Sequence, residues 1–110
     1  MSEAPAITWF GKSGKKYNYH IHPIGTEFKE ESGNYIFAKV TSTGSWSACY
    51  IGQTENLNQR LGNHEKEACA KKIGATHIHT HITTGGEVVR KAEEKDLIIN
   101  YRPPCNELLI

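Results

Sequence analysis

CYIGQTENLNQRLGNH, residues Cys49 to His64, joins a short β-rich segment to a helix loaded with polar groups. Side chains alternate along a strand, so Tyr50 is expected on the face opposite the one that Cys49 and Ile51 share. Gly52 lets the backbone leave that strand sharply, without a Cβ clash. Thr54 is the expected N-cap of a helix over residues 55–64, whose buried stripe is Leu57 and Leu61. Arg60 and His64 fall four residues apart on another stripe, where two phosphate contacts would share one face.

Working upstream, GNYIFAKVT (residues 33–41) is the most strand-like stretch of the chain. Its alternation places Tyr35, Phe37 and Lys39 on one face and Ile36, Ala38 and Val40 on the other. A polar loop over residues 42–47 then returns the chain as an antiparallel hairpin. With Ile36, Ala38 and Val40 sharing a core with Cys49 and Ile51, the opposite face gathers Tyr35, Lys39 and Tyr50. Nearer the N-terminus, ITWF and YNYHIH flank GKSGKK, which predicts a further hairpin with Lys12, Lys15 and Lys16 at its tip, after a frayed tail over residues 1–6. The GKS inside it is not a phosphate loop, because that motif needs a glycine where Ala6 stands.

Downstream, EKEACAKKI predicts a second helix, closed by Gly74, and ATHIHTHIT a further strand. His77, His79 and His81 share one face of that strand, and His20 and His22 lie in another β-segment. Such a pattern raises a metal site. Residues two apart on a strand lie about 6.5–7 Å apart and point in parallel, however, which does not wrap a tetrahedral ion, so a polar strand face is the expected reading. EVVRKAEEKDLIIN (residues 87–100) predicts a third helix of about four turns, which Pro103 and Pro104 prevent from continuing.

A chain of 110 residues suits one domain of modest core. Its 13 basic and 12 acidic residues leave no bulk charge to attract nucleic acid, so any such binding must come from local placement of Lys and Arg. Cys49, Cys69 and Cys105 are odd in number, far apart and without CxxC spacing, which leads to an expectation of reduced thiols in a cytoplasmic protein. No apolar run approaches the ~20 residues of a membrane span, and MSEAPA lacks the regions of a signal peptide.

The landmarks line up as follows. GNY precedes YIG; an Arg stands ten residues after the second tyrosine, and a His four further on; a helical Glu stands twelve residues before the Asn of a PPxN tail. From Gly33 to Asn106 this series resembles the GIY-YIG nuclease domain. It departs from the pattern at Asn34, where the family has an apolar residue, and at Arg90, where its helix often has a small one. The resemblance implies that Tyr35, Tyr50, Arg60, His64, Glu94 and Asn106 form the site, with Glu94 as the metal ligand and Asn106 supporting it. Glu93 is the rival to Glu94, separated from it only by that twelve-residue interval. The fold expected is of the α+β type: a small three-stranded, mainly antiparallel sheet flanked by three helices over residues 33–110. Residues 1–32 add the tail and N-terminal hairpin to the same unit.

The chemistry gives these residues reasons. Phosphodiester hydrolysis needs a deprotonated water in line with the leaving oxygen, and relief of the charge that builds on phosphate and leaving group. One Mg²⁺ on Glu94, with Mn²⁺ as a substitute, suits the second need, and Arg60 can grip phosphate bidentately. Tyr35 is the expected general base and Tyr50 the group that positions water or phosphate, roles that the residues alone leave exchangeable. A tyrosine near pKa 10 needs cations beside it, for which Lys39 and His64 are the candidates. Lys39, Lys12, Lys15 and Lys16 are further expected DNA contacts. DNA is thus the expected partner, with a second copy or a larger protein supplying the second cut or the specificity. A non-catalytic nucleic-acid-binding or docking module is the alternative.

Overall fold

Residues 5–107 are described by the computed structural model. Its strands are β1 (Ala6–Phe10), β2 (Lys16–Pro23), β3 (Gly33–Val40), β4 (Trp46–Thr54) and β5 (His77–Ile82). The helices are α1 (Leu57–Gly62), α2 (Glu67–Lys72), α3 (Glu87–Tyr101) and α4 (Pro104–Glu107). All five strands belong to one antiparallel sheet in the order β1-β2-β5-β3-β4. This overturns the expected three-stranded sheet with three helices and an appended hairpin. The hairpin is part of the sheet, since β2 pairs with β5 from His20↔Thr80 to Pro23↔His77. That pairing satisfies the backbone of β5, which would otherwise be an open edge, and it buries Tyr19 completely. Of the expected tail, residues 1–4 lie outside the described range, while Ala6 already pairs with His20.

β3 lies between β5 and β4, and both of its faces are buried. Tyr35 and Phe37 pack with Ile78, Leu57, Leu61, Ala70 and Cys105 on one side. Ile36 and Ala38 pack with Trp9, Tyr17, Tyr19, Ile51 and Leu97 of α3 on the other. Simple alternation fails at one place. The register shifts so that Phe37 faces Tyr50 while Ala38 faces Ala48, which leaves Cys49 as the extra residue of a bulge. Cys49 therefore joins the core of Tyr35, not that of Ile36 and Ile51 as alternation predicts.

Two local expectations also change. β4 runs on to Thr54, so Gly52 is not an exit from the strand; a Cβ there would fall 2.5 Å from the Tyr35 ring, and glycine is what lets the phenol lie across β4. The N-cap of α1 is Asn56, whose Oδ1 accepts the Gln59 N–H at 3.1 Å, while Thr54 Oγ1 accepts the N–H of Asn56 itself. After α3 the chain reverses at Arg102 in the left-handed conformation (φ 45°). Pro104 does not merely stop a helix. It opens the short α4, because a first helical position needs no N–H donor.

Cys69 of α2 and Cys105 of α4 form a disulfide, which corrects the expectation of three reduced thiols; Cys49 remains a buried thiol. Among the described residues no helix is long and apolar enough to cross a membrane. Because the bridge spans 36 residues, Cys69→Ser is expected to lower the stability of the oxidised protein by about 2–4 kcal/mol. Urea denaturation with and without dithiothreitol tests this. The reductant should bring the wild type down to the variant, and equal midpoints without it would contradict the linkage.

Candidate active site

The site is built around one hydroxyl. Tyr35 is 1% exposed, and its oxygen lies 2.7 Å from His64 Nε2. His64 stands two residues beyond the end of α1 and not on its face; Gly62 and Asn63 end the helix, and the loop turns the imidazole inward. Its Nδ1 accepts the Lys66 backbone N–H at 2.9 Å. In the neutral ring the proton therefore sits on Nε2 and is donated to Tyr35, which leaves the tyrosine's own proton directed elsewhere. Burial, with Arg60 nearby, holds the His64 pKa down to about 4, so the ring is neutral at physiological pH. Tyr50 completes the aromatic wall, its ring 5.2 Å from that of His64 and 6.3 Å from that of Tyr35.

Burial and the neighbouring Tyr50 raise the Tyr35 pKa, against the pull of Arg60. The Tyr50 pKa is raised too, by burial and by Glu94, again with Arg60 opposing. Glu94 on α3 is half-buried, and that burial lifts its carboxyl pKa; the Gln53 backbone N–H bonds to it and Lys91 acts on it as the nearby cation. Asn106 grips the outer edge of β4 beside Tyr50. Its Oδ1 accepts the Ile51 N–H at 2.8 Å and its Nδ2 donates to the Ile51 carbonyl at 2.9 Å. Tyr35, Tyr50, Arg60, His64 and Glu94 are thus drawn together, and Asn106 braces the strand that carries Tyr50.

Other expected contacts are not brought here. Lys39 lies beyond the bulge and donates to the Ile73 carbonyl at 3.3 Å, so it is not the cation beside Tyr35. Lys12, Lys15 and Lys16 lie at the opposite end of the sheet. There the hairpin tip docks on α3, with Ser13 and Tyr17 donating to Asp96. From β2 to β4 is three strand spacings, roughly 14 Å.

The alternating histidines have separate partners. His77 bonds Thr76, His79 accepts from Trp9 Nε1 at 2.9 Å, and His81 meets the Asn18 carbonyl at 2.7 Å. Among the described residues no three His, Cys, Asp or Glu side chains gather to hold a metal ion. Among the described residues, Glu94 is the carboxylate at this site not already engaged by a guanidinium, as Glu65 is by Arg60, so a metal here would rest on Glu94. A half-buried carboxylate with one backbone donor fits a hard, largely hydrated cation of the Mg²⁺ kind.

Three participants were not foreseen. Glu65 binds Arg60 through both guanidinium nitrogens, at 2.7 and 2.8 Å. Arg90 Nε donates to Gln53 Oε1 at 3.0 Å. The Gly62-Asn63 pair is a helix-stop signal, and reading it as one would have released Glu65 to fold back on Arg60. No family model, curated protein or solved structure matches the chain.

His64 and His79 are both held near a pKa of about 4, below the ordinary 6.5, chiefly by burial. The unfolded chain then takes up protons that the folded protein refuses. Their contribution to stability is complete above pH 6.5 and is lost as pH falls towards 4. His64→Gln is expected to remove its share of that loss. Urea midpoints at pH 7, 5.5 and 4.5 measure it, and identical pH slopes for wild type and variant would contradict it.

Proposed function

We propose that the protein is a Mg²⁺-dependent endonuclease of the GIY-YIG kind that hydrolyses DNA phosphodiester bonds. The observation that carries this reading is the gathering of Tyr50, Arg60, His64 and Glu94 around Tyr35, with His64 bonded to its hydroxyl, from β4, the end of α1 and α3. In this reading Arg60 exchanges Glu65 for the non-bridging oxygens of the scissile phosphate, retaining bidentate geometry. Tyr35 is the general base. Its phenolate is favoured by the His64 N–H and by Arg60 and opposed by burial, so the rate should climb with pH above neutrality. Tyr50, less buried, orients the attacking water or the phosphate. Glu94 would hold the Mg²⁺ ion, with Mn²⁺ as a substitute; when bound, the ion supplies charge relief for phosphate and leaving oxygen.

A DNA substrate, and not the state of the thiols, is what argues for a cytoplasmic setting. One site cuts one strand, so a double-strand break calls for a second copy or a second encounter.

One observation favours a non-catalytic, nucleic-acid-binding or docking module instead: Arg60 is already paired with Glu65 and Tyr35 holds its proton. The two readings separate cleanly. With supercoiled plasmid and Mg²⁺, the nuclease reading expects nicked product, falling about 100-fold or more on Glu94→Ala and on Arg60→Ala. Absence of cleavage, or cleavage that survives both substitutions, would sink it. DNA affinity indifferent to Mg²⁺ without turnover would favour the module.

A further inference from the structure

Asn34 lies on β3 with no exposure at all, between two residues of the motif that carries Tyr35. Its side chain is on the face opposite Tyr35, beneath α3. There its Nδ2 donates to Glu93 Oε1 at 2.9 Å, and Thr83 Oγ1 donates to the same oxygen at 2.6 Å. The second Glu93 oxygen faces His81 Nε2 at 3.6 Å. Asn34 Oδ1 is buried without a partner, so the amide costs stability that an aliphatic side chain would not.

A directional contact does something that apolar packing cannot. Leucine-like contacts tolerate small rotations and slides of a helix, whereas a buried amide–carboxylate bond does not. The consequence falls on the next residue. Glu94 projects about 100° further round α3 than Glu93, which turns it to β4 and the Gln53 N–H. Asn34 and Gln53 are direct cross-strand partners. A single rung of the sheet therefore holds α3 at two consecutive residues, Glu93 through Asn34 and Glu94 through Gln53. Arg90, one turn earlier, ties α3 to the Gln53 side chain at 3.0 Å and braces the same rung.

We infer that Asn34 and Glu93 are positioning residues, which fix the rotation of α3 so that the Glu94 carboxylate is delivered to the Gln53 N–H beside Tyr35 and Tyr50. The inference rests on the nuclease reading for its purpose, though not for its geometry. It gives Asn34, where an apolar residue was expected, and Glu93, the rival of Glu94, a shared task.

Amide hydrogen exchange on the metal-free protein tests it, with Gln53 as the reporter and Ile51, held by Asn106, as the internal control. Asn34→Leu and Glu94→Ala should each speed Gln53 exchange by about tenfold, the loss of one hydrogen bond to a charged group, while Ile51 stays slow. Glu93→Gln, which keeps an acceptor oxygen for Asn34 and Thr83, should leave Gln53 protected. Thr83→Val provides a milder lesion should Asn34→Leu not fold, and should move Gln53 in the same direction. Unchanged Gln53 exchange in the folded Asn34→Leu or Thr83→Val protein would overturn the inference, as would equal acceleration of Gln53 and Ile51. In the cleavage assay Asn34→Leu should raise the Mg²⁺ concentration needed for half-maximal rate. A wild type that cuts no DNA but shows the Gln53 response would refute the nuclease reading alone.

Discussion

A phenol with almost no exposed surface costs stability unless its oxygen is hydrogen-bonded inside the protein, and Tyr35 finds that partner in His64 at 2.7 Å. Much of the local architecture serves that bond. Gly52 clears the space in which the ring lies, and Gly62 and Asn63 end α1 early enough for the imidazole to turn in. The Lys66 N–H occupies the other ring nitrogen and so sets which way the proton points. Burial that keeps His64 neutral also keeps Tyr35 protonated. The resting site is thus a closed and electrically quiet arrangement, with Arg60 held by Glu65 at its rim.

The second constraint is the free edge of β4. An unpaired edge strand invites association with another chain, and here side chains from the C-terminal third of the chain cover it. Asn106 takes both backbone groups of Ile51, and Glu94 takes the N–H of Gln53. Two of the six landmark residues therefore cap the strand that bears Tyr50. The disulfide from Cys69 to Cys105 secures the residue next to Asn106, so α2, α4 and the edge of the sheet are held as one body.

Periodicity made the element list legible: the hairpin segments, the two motif strands, the histidine-rich strand and the long helix all stand near their expected positions. What escaped it were features that depend on partners distant in sequence. Nothing in YNYHIH says that β2 will pair with β5, because a strand's own pattern specifies its faces and not its neighbour. The bulge at Cys49 likewise breaks alternation without a local signal, and it carried the expected face of Cys49 with it. Cysteines 36 residues apart leave no spacing motif to read. Within the site, the spacing of Tyr35, Tyr50, Arg60, His64, Glu94 and Asn106 was visible. The network of Asn34, Thr83 and Glu93 behind it was not, since its members are ordinary polar residues until the fold buries them.

The central claim is that these residues form one metal-dependent phosphate site whose cation rests on Glu94. Paramagnetic broadening by Mn²⁺, recorded for backbone amides across the chain, addresses it most directly. The account predicts that broadening begins at Gln53, Tyr50 and the middle of α3, and that Glu94→Gln abolishes it. Broadening centred on His20, His22 and His77, or no localised broadening at all, would contradict it.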